Sequence, residues 1–163
     1  MPAMSTETNE AAKRVAVIMQ RRLVRGRWQS EAWEPVGVLL GGDVQGAPRV
    51  IVEQEDTTQW LHPGFAIELR RDEADGYYMN MTTDEPSVFI LWRMEAQLAV
   101  PQFVTVSYAE AARWMDAGES VDRVPMPPEL RPWVSGYVER NYRPEPKKKR
   151  RPQSFKHPRD RMA

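Results

Sequence analysis

The stretch FAIELRRDEADGYYMNMTTDEPSVFILWRM, residues 65–94, gives the clearest indication of the fold. Apolar and polar residues alternate over positions 65–69, as they do in a strand with one buried face. Asp75-Gly76 is typical of a tight turn, so residues 77–81 are predicted to return as the next strand. After a second turn, residues 87–94 are apolar on both faces, which indicates a central strand. The stretch therefore predicts an antiparallel β meander.

The residues before this stretch also favour β structure. Residues 14–24 are predicted to form a first strand, whose apolar face is interrupted at Arg21. Residues 28–40 follow as an extended segment, and short strands are predicted at 50–52 and 58–61. His62 comes next, in a loop-like Leu-His-Pro-Gly setting.

The residues after the meander change to a helical period. Ser107 and Glu110 fit a capping box, which predicts a short helix ending near Asp116. A second helix is predicted to open at residues 127–129 and to pack across the sheet through an apolar stripe. The stripe consists of Leu130, Trp133, Val134, Tyr137 and Val138.

These patterns predict one α+β domain over residues 13–142. Its architecture is expected to be an antiparallel β-sheet or partly open barrel with two C-terminal helices. Residues 1–12 are polar and predict a disordered leader, and residues 143–163 predict a disordered basic tail.

Charge is distributed very unevenly along the chain. Residues 1–142 carry 14 Lys and Arg against 21 Asp and Glu, whereas residues 143–163 carry 9 basic and 2 acidic residues. The tail is built around five adjacent cations, Lys147, Lys148, Lys149, Arg150 and Arg151. Such an asymmetry bears on association rather than on fold, and it favours a contact with a partner or with the acidic body.

Composition also limits the chemistry. The sequence has no Cys, which excludes disulfides, thiolate metal sites and cysteine nucleophiles. It has no apolar run of about 18 residues and no signal-peptide core, so no membrane association is expected and the cytoplasm is the predicted location. His62 is the one neutral-pH base of the body, and no metal or cofactor site and no catalytic residue is predicted.

One basic and aromatic patch could bind a partner or a nucleic acid. Arg21 and Arg22 lie close in sequence to Trp28 and Trp33. Basic residues among aromatic ones can combine phosphate contacts with base stacking. The acidic balance of the body argues against nucleic acid, and a role of these aromatic residues in the core is the simpler alternative.

Three stretches together resemble a bacterial family, the domain of unknown function 3305. They are residues 14–40 (RVAVIMQRRLVRGRWQSEAWEPVGVLL), 69–92 (LRRDEADGYYMNMTTDEPSVFILW) and 104–138 (VTVSYAEAARWMDAGESVDRVPMPPELRPWVSGYV). The basic ending fits as well. Within these motifs, hydrophobic packing does not explain the polar residues Glu73 and Asn80. They are predicted to contact a partner, and hydrogen bonding within a turn is the alternative explanation.

The resemblance implies a function that composition does not. Members look like small accessory proteins encoded near molybdenum- or tungsten-dependent formate dehydrogenases and their maturation factors. It therefore implies a non-catalytic accessory or maturation protein that contacts a formate dehydrogenase subunit or its maturation factors. The alternative is a nucleic-acid-binding module that uses the patch from Arg21 to Trp28 and the tail, and an enzyme is the third possibility.

The resemblance also suggests an enzymatic activity that this sequence does not support. Some members are described as acting in molybdopterin-guanine dinucleotide synthesis. A nucleotidyltransferase of that kind should open with a strand followed by a Gly-rich loop within alternating β and α units. Here the first strand runs into Arg21-Arg22-Leu23-Val24, and a meander is predicted instead.

Overall fold

The computed structural model describes residues 12–26, 28, 30–41 and 45–144. The predicted leader, apart from its last residue, and the predicted tail from residue 145 onward lie outside the described residues. The elements within them form two antiparallel sheets and three α-helices.

The first sheet contains the four strands of the N-terminal half. They are β1 (Ala12–Val24), β2 (Ser30–Leu39), β3 (Arg49–Glu53) and β4 (Thr57–Glu68), in the order β2-β1-β4-β3. The strands predicted at 58–61 and 65–69 are one continuous strand, because β4 stays paired with β1 through a register shift between Val15 and Val17. His62 therefore lies opposite Val17 in mid-strand, and its predicted loop setting was wrong.

The second sheet has three strands and lies against the first. It is formed by β5 (Ser87–Glu95), β6 (Leu98–Thr105) and β7 (Ser120–Pro125), in the order β6-β5-β7. The prediction that residues 87–94 form a central strand is confirmed. Ala96 and Gln97, with φ of 49° and 72°, form the two-residue turn between β5 and β6. Both sheets are open, so the architecture is the sheet rather than the barrel alternative.

The three helices are α1 (Ala74–Met81), α2 (Tyr108–Asp116) and α3 (Arg131–Asn141). Short 3₁₀ turns, Arg71–Glu73 and Pro128–Leu130, precede α1 and α3. The two predicted C-terminal helices are confirmed. Ser107 Oγ accepts a hydrogen bond from the Glu110 amide at 3.0 Å, which is one half of the predicted capping box. The other half differs from the prediction, because the Ser107 amide donates to Thr105 Oγ1 at 3.1 Å and the Glu110 carboxylate lies 3.6 Å from Arg70.

The predicted strand at residues 77–81 was wrong, because these residues belong to α1. Tyr77 and Asn80 are three positions apart and are both buried, which is helical rather than strand spacing. Gly76, assigned to a turn, instead lies within the helix, where its missing side chain allows α1 to approach Ser107 closely. The predicted meander is therefore interrupted by a helix.

The main core lies between the two sheets and the helices α1 and α3. β1 contributes Val15, Val17 and Met19, all fully buried. Leu130 and Val134 are the most deeply buried residues of the predicted apolar stripe, which docks as predicted. Helix α2 covers the other face of the second sheet, where Tyr108 contacts Phe89 edge-on at 5.8 Å.

The first sheet extends beyond this core. We call this extension the arm; it consists of the outer ends of β1, β2 and β4, residues 20–24, 30–34 and 57–60. No apolar side chain of the arm is among the fully buried core residues of the described chain. Trp33 is the residue of the arm that packs against the edge of the core, and it does so while only partly buried.

Candidate functional site

An open cleft lies between the arm and the tip of the β5–β6 hairpin, and we call it the inter-sheet cleft. Its volume is about 630 Å³, within the range of ligand sites in proteins. The arm and the hairpin tip contribute its lining, which consists of Arg21, Glu31, Met94, Ala96, Gln97 and Leu98.

Strand periodicity places Arg21 in this cleft. Side chains two positions apart on a strand share a face, so Arg21 continues the face of Met19 past the end of the core. Arg21 is paired with Trp33 on β2 and with Thr58 on β4. Trp60, opposite Met19, lies one step nearer the core. The interruption of the apolar face that the sequence shows at Arg21 is therefore the point where the core gives way to the cleft.

The guanidinium of Arg21 lies over two tryptophan rings. Its central carbon is 5.9 Å from the ring centroid of Trp33 and 5.4 Å from that of Trp60. Both distances are within cation–π range, and the two rings contact each other at 5.4 Å with a tilt of 31°. The two indoles thereby contribute cation–π contacts that favour this position of the guanidinium at the edge of the cleft.

The polar contacts of Arg21 leave most of its donors open. Nη2 donates to Thr58 Oγ1 at 3.3 Å, and Nη1 is 4.0 Å from Glu31 Oε1, beyond hydrogen-bond length. A guanidinium carries five N–H donors, and Thr58 is the one side-chain acceptor for them within the described part of the chain. With 32% of its side chain exposed, Arg21 is available to an anion that enters the cleft.

Two apolar side chains complete the cleft on the hairpin side. Met94 is 51% exposed and Leu98 is 38% exposed, on either side of the two-residue turn. These two side chains place exposed apolar surface next to an accessible cation. The cleft can therefore bind a ligand that has both an anionic and an apolar part.

The other members of the predicted basic and aromatic patch lie elsewhere. Arg22 is exposed on the opposite face of β1, where it is paired with Ala32 and Thr57. Trp28, in the connection between β1 and β2, is 81% exposed and does not line the cleft. The structure thus brings together Arg21 and Trp33 of this patch, and not Arg22 or Trp28.

Glu73, predicted to contact a partner, is buried inside the fold. Its carboxylate accepts a hydrogen bond from the Ser107 hydroxyl at 2.6 Å and forms an ion pair with Arg113. Ser107 is itself fully buried and caps α2. The Glu73 carboxylate therefore links the start of α1 to α2, and its role in partner contact stays a prediction.

Asn80 is likewise buried and fully bonded. Its amide nitrogen donates to the carbonyl oxygens of Ser87 at 2.8 Å and Val106 at 2.9 Å. Its amide oxygen accepts from the Ser87 backbone N–H at 3.0 Å. Asn80 thus attaches α1 to the start of β5 and the end of β6, and a partner contact through it also stays a prediction.

Burial changes the pKa of two further side chains. Burial lowers the pKa of His62, because the charged imidazolium loses its hydration there. Burial raises the pKa of Tyr77 to about 12, and its hydroxyl accepts from the Arg70 amide at 2.9 Å. Both groups lie within the fold rather than in the cleft.

The remaining predictions concern the tail and metal sites. Lys147, Lys148, Lys149, Arg150 and Arg151 lie outside the described residues. Among the residues that are described, no group of three or more His, Asp and Glu side chains could hold a metal ion. None of the described helices is long and apolar enough to cross a membrane.

Sequence reasoning missed three residues of the site. Trp60 lies in a segment that was predicted only as a short strand. Its position opposite Met19 on β1 follows only when β4 is one continuous strand paired with β1. Met94 and Leu98 flank a turn whose central residues, Ala96 and Gln97, carry no glycine signal. Only the packing of two sheets places this turn beside Arg21, so no local pattern could have identified it.

One family matches the chain. It is described as protein of unknown function (DUF3305), and the match covers residues 14–151. No curated protein and no solved structure matches the chain.

Proposed function

The chain belongs to the DUF3305 family, and we propose that it is a non-catalytic accessory or maturation protein that acts by protein–protein contact. The proposed partner is a subunit of a molybdenum- or tungsten-dependent formate dehydrogenase or one of its maturation factors. The choice of partner rests on the resemblance of residues 14–40, 69–92 and 104–138 to family members encoded near such enzymes.

The observation that carries the proposal is the composition of the inter-sheet cleft. Met94 and Leu98 expose apolar surface beside the guanidinium of Arg21. Arginine, methionine and aromatic residues are enriched where proteins bind one another. A surface of this kind gains free energy when a partner covers its apolar atoms and pairs its charge.

The same cleft is poorly suited to a nucleic acid. A base needs an open aromatic face for stacking, and the guanidinium of Arg21 already lies over the rings of Trp33 and Trp60. Arg25, at the end of the arm, is paired with Asp56 at 2.9 Å and with Glu55 at 3.5 Å. These carboxylates reduce the positive potential that phosphates require.

One observation favours the nucleic-acid alternative. Trp28 is 81% exposed, which leaves its indole free to stack on a base, and Arg22 is exposed on the neighbouring strand. This second candidate would use the outer side of the arm with the basic tail, rather than the cleft.

Co-purification from the native host tests the proposal. The bait is the full chain, compared with Leu98→Ser, with Arg22→Gln and with a chain ending at residue 142. We expect a formate dehydrogenase subunit or maturation factor to be recovered with the full chain and with Arg22→Gln, and to be lost with Leu98→Ser. Arg22→Gln is the control because it changes an exposed side chain that lies outside the cleft, on the face of β1 opposite to Arg21.

Two results would contradict the proposal. One is recovery of no dehydrogenase component with the full chain at physiological salt. The other is equal recovery with Leu98→Ser, which would place the contact away from the cleft. Loss of the partner on removal of residues 143–163 would add the tail to the contact surface.

A further inference from the structure

We propose that the inter-sheet cleft recognises an extended protein segment in which an Asp or Glu side chain stands next to a bulky apolar side chain. Arg21 binds the carboxylate, and Met94 and Leu98 contact the apolar group. This inference rests on the proposed function, since it states what the same cleft would recognise on a partner protein.

The first step of the argument concerns the orientation of Arg21. A guanidinium is a planar fork whose N–H groups match the two oxygens of a carboxylate. The fork lies 5.9 Å and 5.4 Å from the ring centroids of Trp33 and Trp60, contacts that favour this orientation and so reduce the side-chain freedom lost on binding. Thr58 takes one donor at 3.3 Å, which leaves enough N–H groups for a two-point contact.

The second step concerns the apolar part. Met94 and Leu98 are the first apolar residues on either side of the β5–β6 turn, and the cleft between them and Arg21 measures about 630 Å³. This volume accommodates a few side chains rather than a folded domain. Methionine adapts its shape to what it contacts, so the cleft favours a bulky apolar group without requiring one exact residue.

The third step concerns Glu31, the acidic residue that lines the cleft. Its carboxylate is 4.0 Å from Arg21 Nη1, where it forms a long ion pair with 46% of the Glu31 side chain exposed. Glu31 therefore competes weakly with an incoming carboxylate for the same guanidinium. A single carboxylate can still bind Arg21 in the presence of Glu31. A row of phosphates would be repelled by Glu31, and its bases would find the faces of Trp33 and Trp60 already covered by Arg21.

The test is a nuclear magnetic resonance titration of the full-length protein with two peptides. The probes are acetyl-Leu-Glu-Leu-amide and acetyl-Leu-Gln-Leu-amide, which differ only in the charge. The indole N–H signals of Trp33 and Trp60 report on the cleft. We expect these signals to shift with both peptides and the Glu peptide to bind about five- to tenfold more tightly, because a charge-assisted pair is added.

Three variants test the roles of individual residues in the cleft and beside it. Arg21→Gln should abolish the preference for the Glu peptide, since both probes then meet a neutral amide. Glu31→Gln should raise the affinity for the Glu peptide by a few-fold, because the competing anion is gone, by about the strength of an exposed ion pair. Arg22→Gln, the neighbour on the opposite face, should leave both affinities unchanged. The gain with Glu31→Gln is a result that a purely structural Arg21–Glu31 pair would not produce.

Several outcomes would overturn the inference. They are equal affinity for the two peptides, no shift of the Trp33 and Trp60 signals, or a preference that survives Arg21→Gln in a folded protein. Larger shifts of the same signals with a thymidine octanucleotide than with either peptide would assign the cleft to nucleic acid instead.

Different experimental results would contradict the inference and the proposed function. If the Glu peptide binds as expected but no dehydrogenase component co-purifies, the assigned partner is wrong and the recognition chemistry stands. If a dehydrogenase component co-purifies in a manner that depends on Leu98 while the two peptides bind equally, the function stands and the role of Arg21 is wrong.

Discussion

The Ser107 hydroxyl donates a hydrogen bond of 2.6 Å to the Glu73 carboxylate, although the two residues are 34 positions apart. The same oxygen accepts from the Glu110 amide at 3.0 Å and so caps α2. Ser107→Ala should therefore remove a helix cap and leave the buried Glu73 carboxylate with one partner fewer. We expect a loss of about 2–3 kcal/mol in the free energy of unfolding, measured by urea denaturation.

Thr105 provides a matched comparison for Ser107. Its hydroxyl accepts from the Ser107 amide at 3.1 Å but does not contact Glu73 or cap a helix. Thr105→Val should thus cost less than Ser107→Ala. An equal or smaller loss for Ser107→Ala would show that the link between α1 and α2 contributes little.

Gly76 is predicted to reject even a methyl group. A Cβ at this position would lie 2.1 Å from Ser107 Oγ and 3.1 Å from Ser107 Cβ. Because Glu73 and Glu110 hold that hydroxyl in place, Gly76→Ala should destabilise the fold by about 1–3 kcal/mol, the usual range for overpacking. Thermal unfolding followed by circular dichroism provides the measurement.

Gly136 in α3 is the control for this substitution. A Cβ at this position would meet only the flexible end of Arg140, at 3.2 Å. Gly136→Ala should therefore stabilise the protein by roughly 0.5–1 kcal/mol through helix propensity. If both substitutions moved the melting temperature in the same direction, the close approach at Gly76 would not be the cause.

Asn80 should be among the most sensitive polar positions of the fold. Asn80→Ala would leave three buried backbone groups without the amide, namely the Ser87 N–H and the carbonyls of Ser87 and Val106. Each unpaired buried group costs about 1–3 kcal/mol, so we expect a loss of at least about 3 kcal/mol in urea unfolding.

Asn80→Asp separates hydrogen bonding from side-chain size. Aspartate keeps the acceptor for the Ser87 N–H but offers no N–H to the two carbonyls. It should be at least as destabilising as Asn80→Ala. A stable Asn80→Asp protein would instead show that the two hydrogen bonds donated by the Asn80 amide contribute little to stability.

The raised pKa of Tyr77 predicts how the free energy of unfolding changes at alkaline pH. Its pKa is raised from 10.0 to about 12 by burial, so folding favours the neutral phenol. This contribution is fully present below pH 10 and is lost as the pH rises from 10 through 12, since the unfolded chain ionises first. Two pKa units correspond to about 3 kcal/mol.

The comparison with Tyr77→Phe isolates this effect. At pH 8 the variant should be less stable, because the Arg70 amide loses the phenol oxygen that accepts its hydrogen bond at 2.9 Å. Between pH 10 and 12 wild-type stability should fall more steeply than that of the variant, so the difference narrows or reverses. Parallel pH profiles in urea unfolding would contradict the raised pKa.

Sequence patterns predicted the strands well where one face is buried. The alternation at residues 65–69 and the doubly apolar run at 87–94 both correspond to observed strands, because each reports local burial. The Ser107 cap of α2 and the stripe from Leu130 to Val138 are also confirmed, because a helix cap and a helical period both depend on residues that are close in sequence. Local chemistry alone determines these features.

The predictions that were wrong depend on contacts distant in sequence. Helix α1 carries Gly76, which favours turns, and only its packing against Ser107 makes glycine suitable within a helix. The sequence also did not show which members of the predicted patch share a face, since strand pairing places Arg21 beside Trp33 and places Arg22 and Trp28 elsewhere. A partner contact by these residues stays a prediction. Four of the six residues that line the cleft come from the β5–β6 hairpin, far along the chain from Arg21, so its existence could not be inferred from either segment.

Site-specific photocrosslinking in the native host tests the central claim most directly. A benzoylphenylalanine at Met94, which lines the cleft, is compared with one at Met79, an equally apolar and 45% exposed position on α1. We expect irradiation to produce a covalent adduct with a formate dehydrogenase subunit or maturation factor at position 94 and not at position 79. The account would be contradicted by such an adduct at position 79 alone, or by adducts at position 94 that contain only nucleic acid.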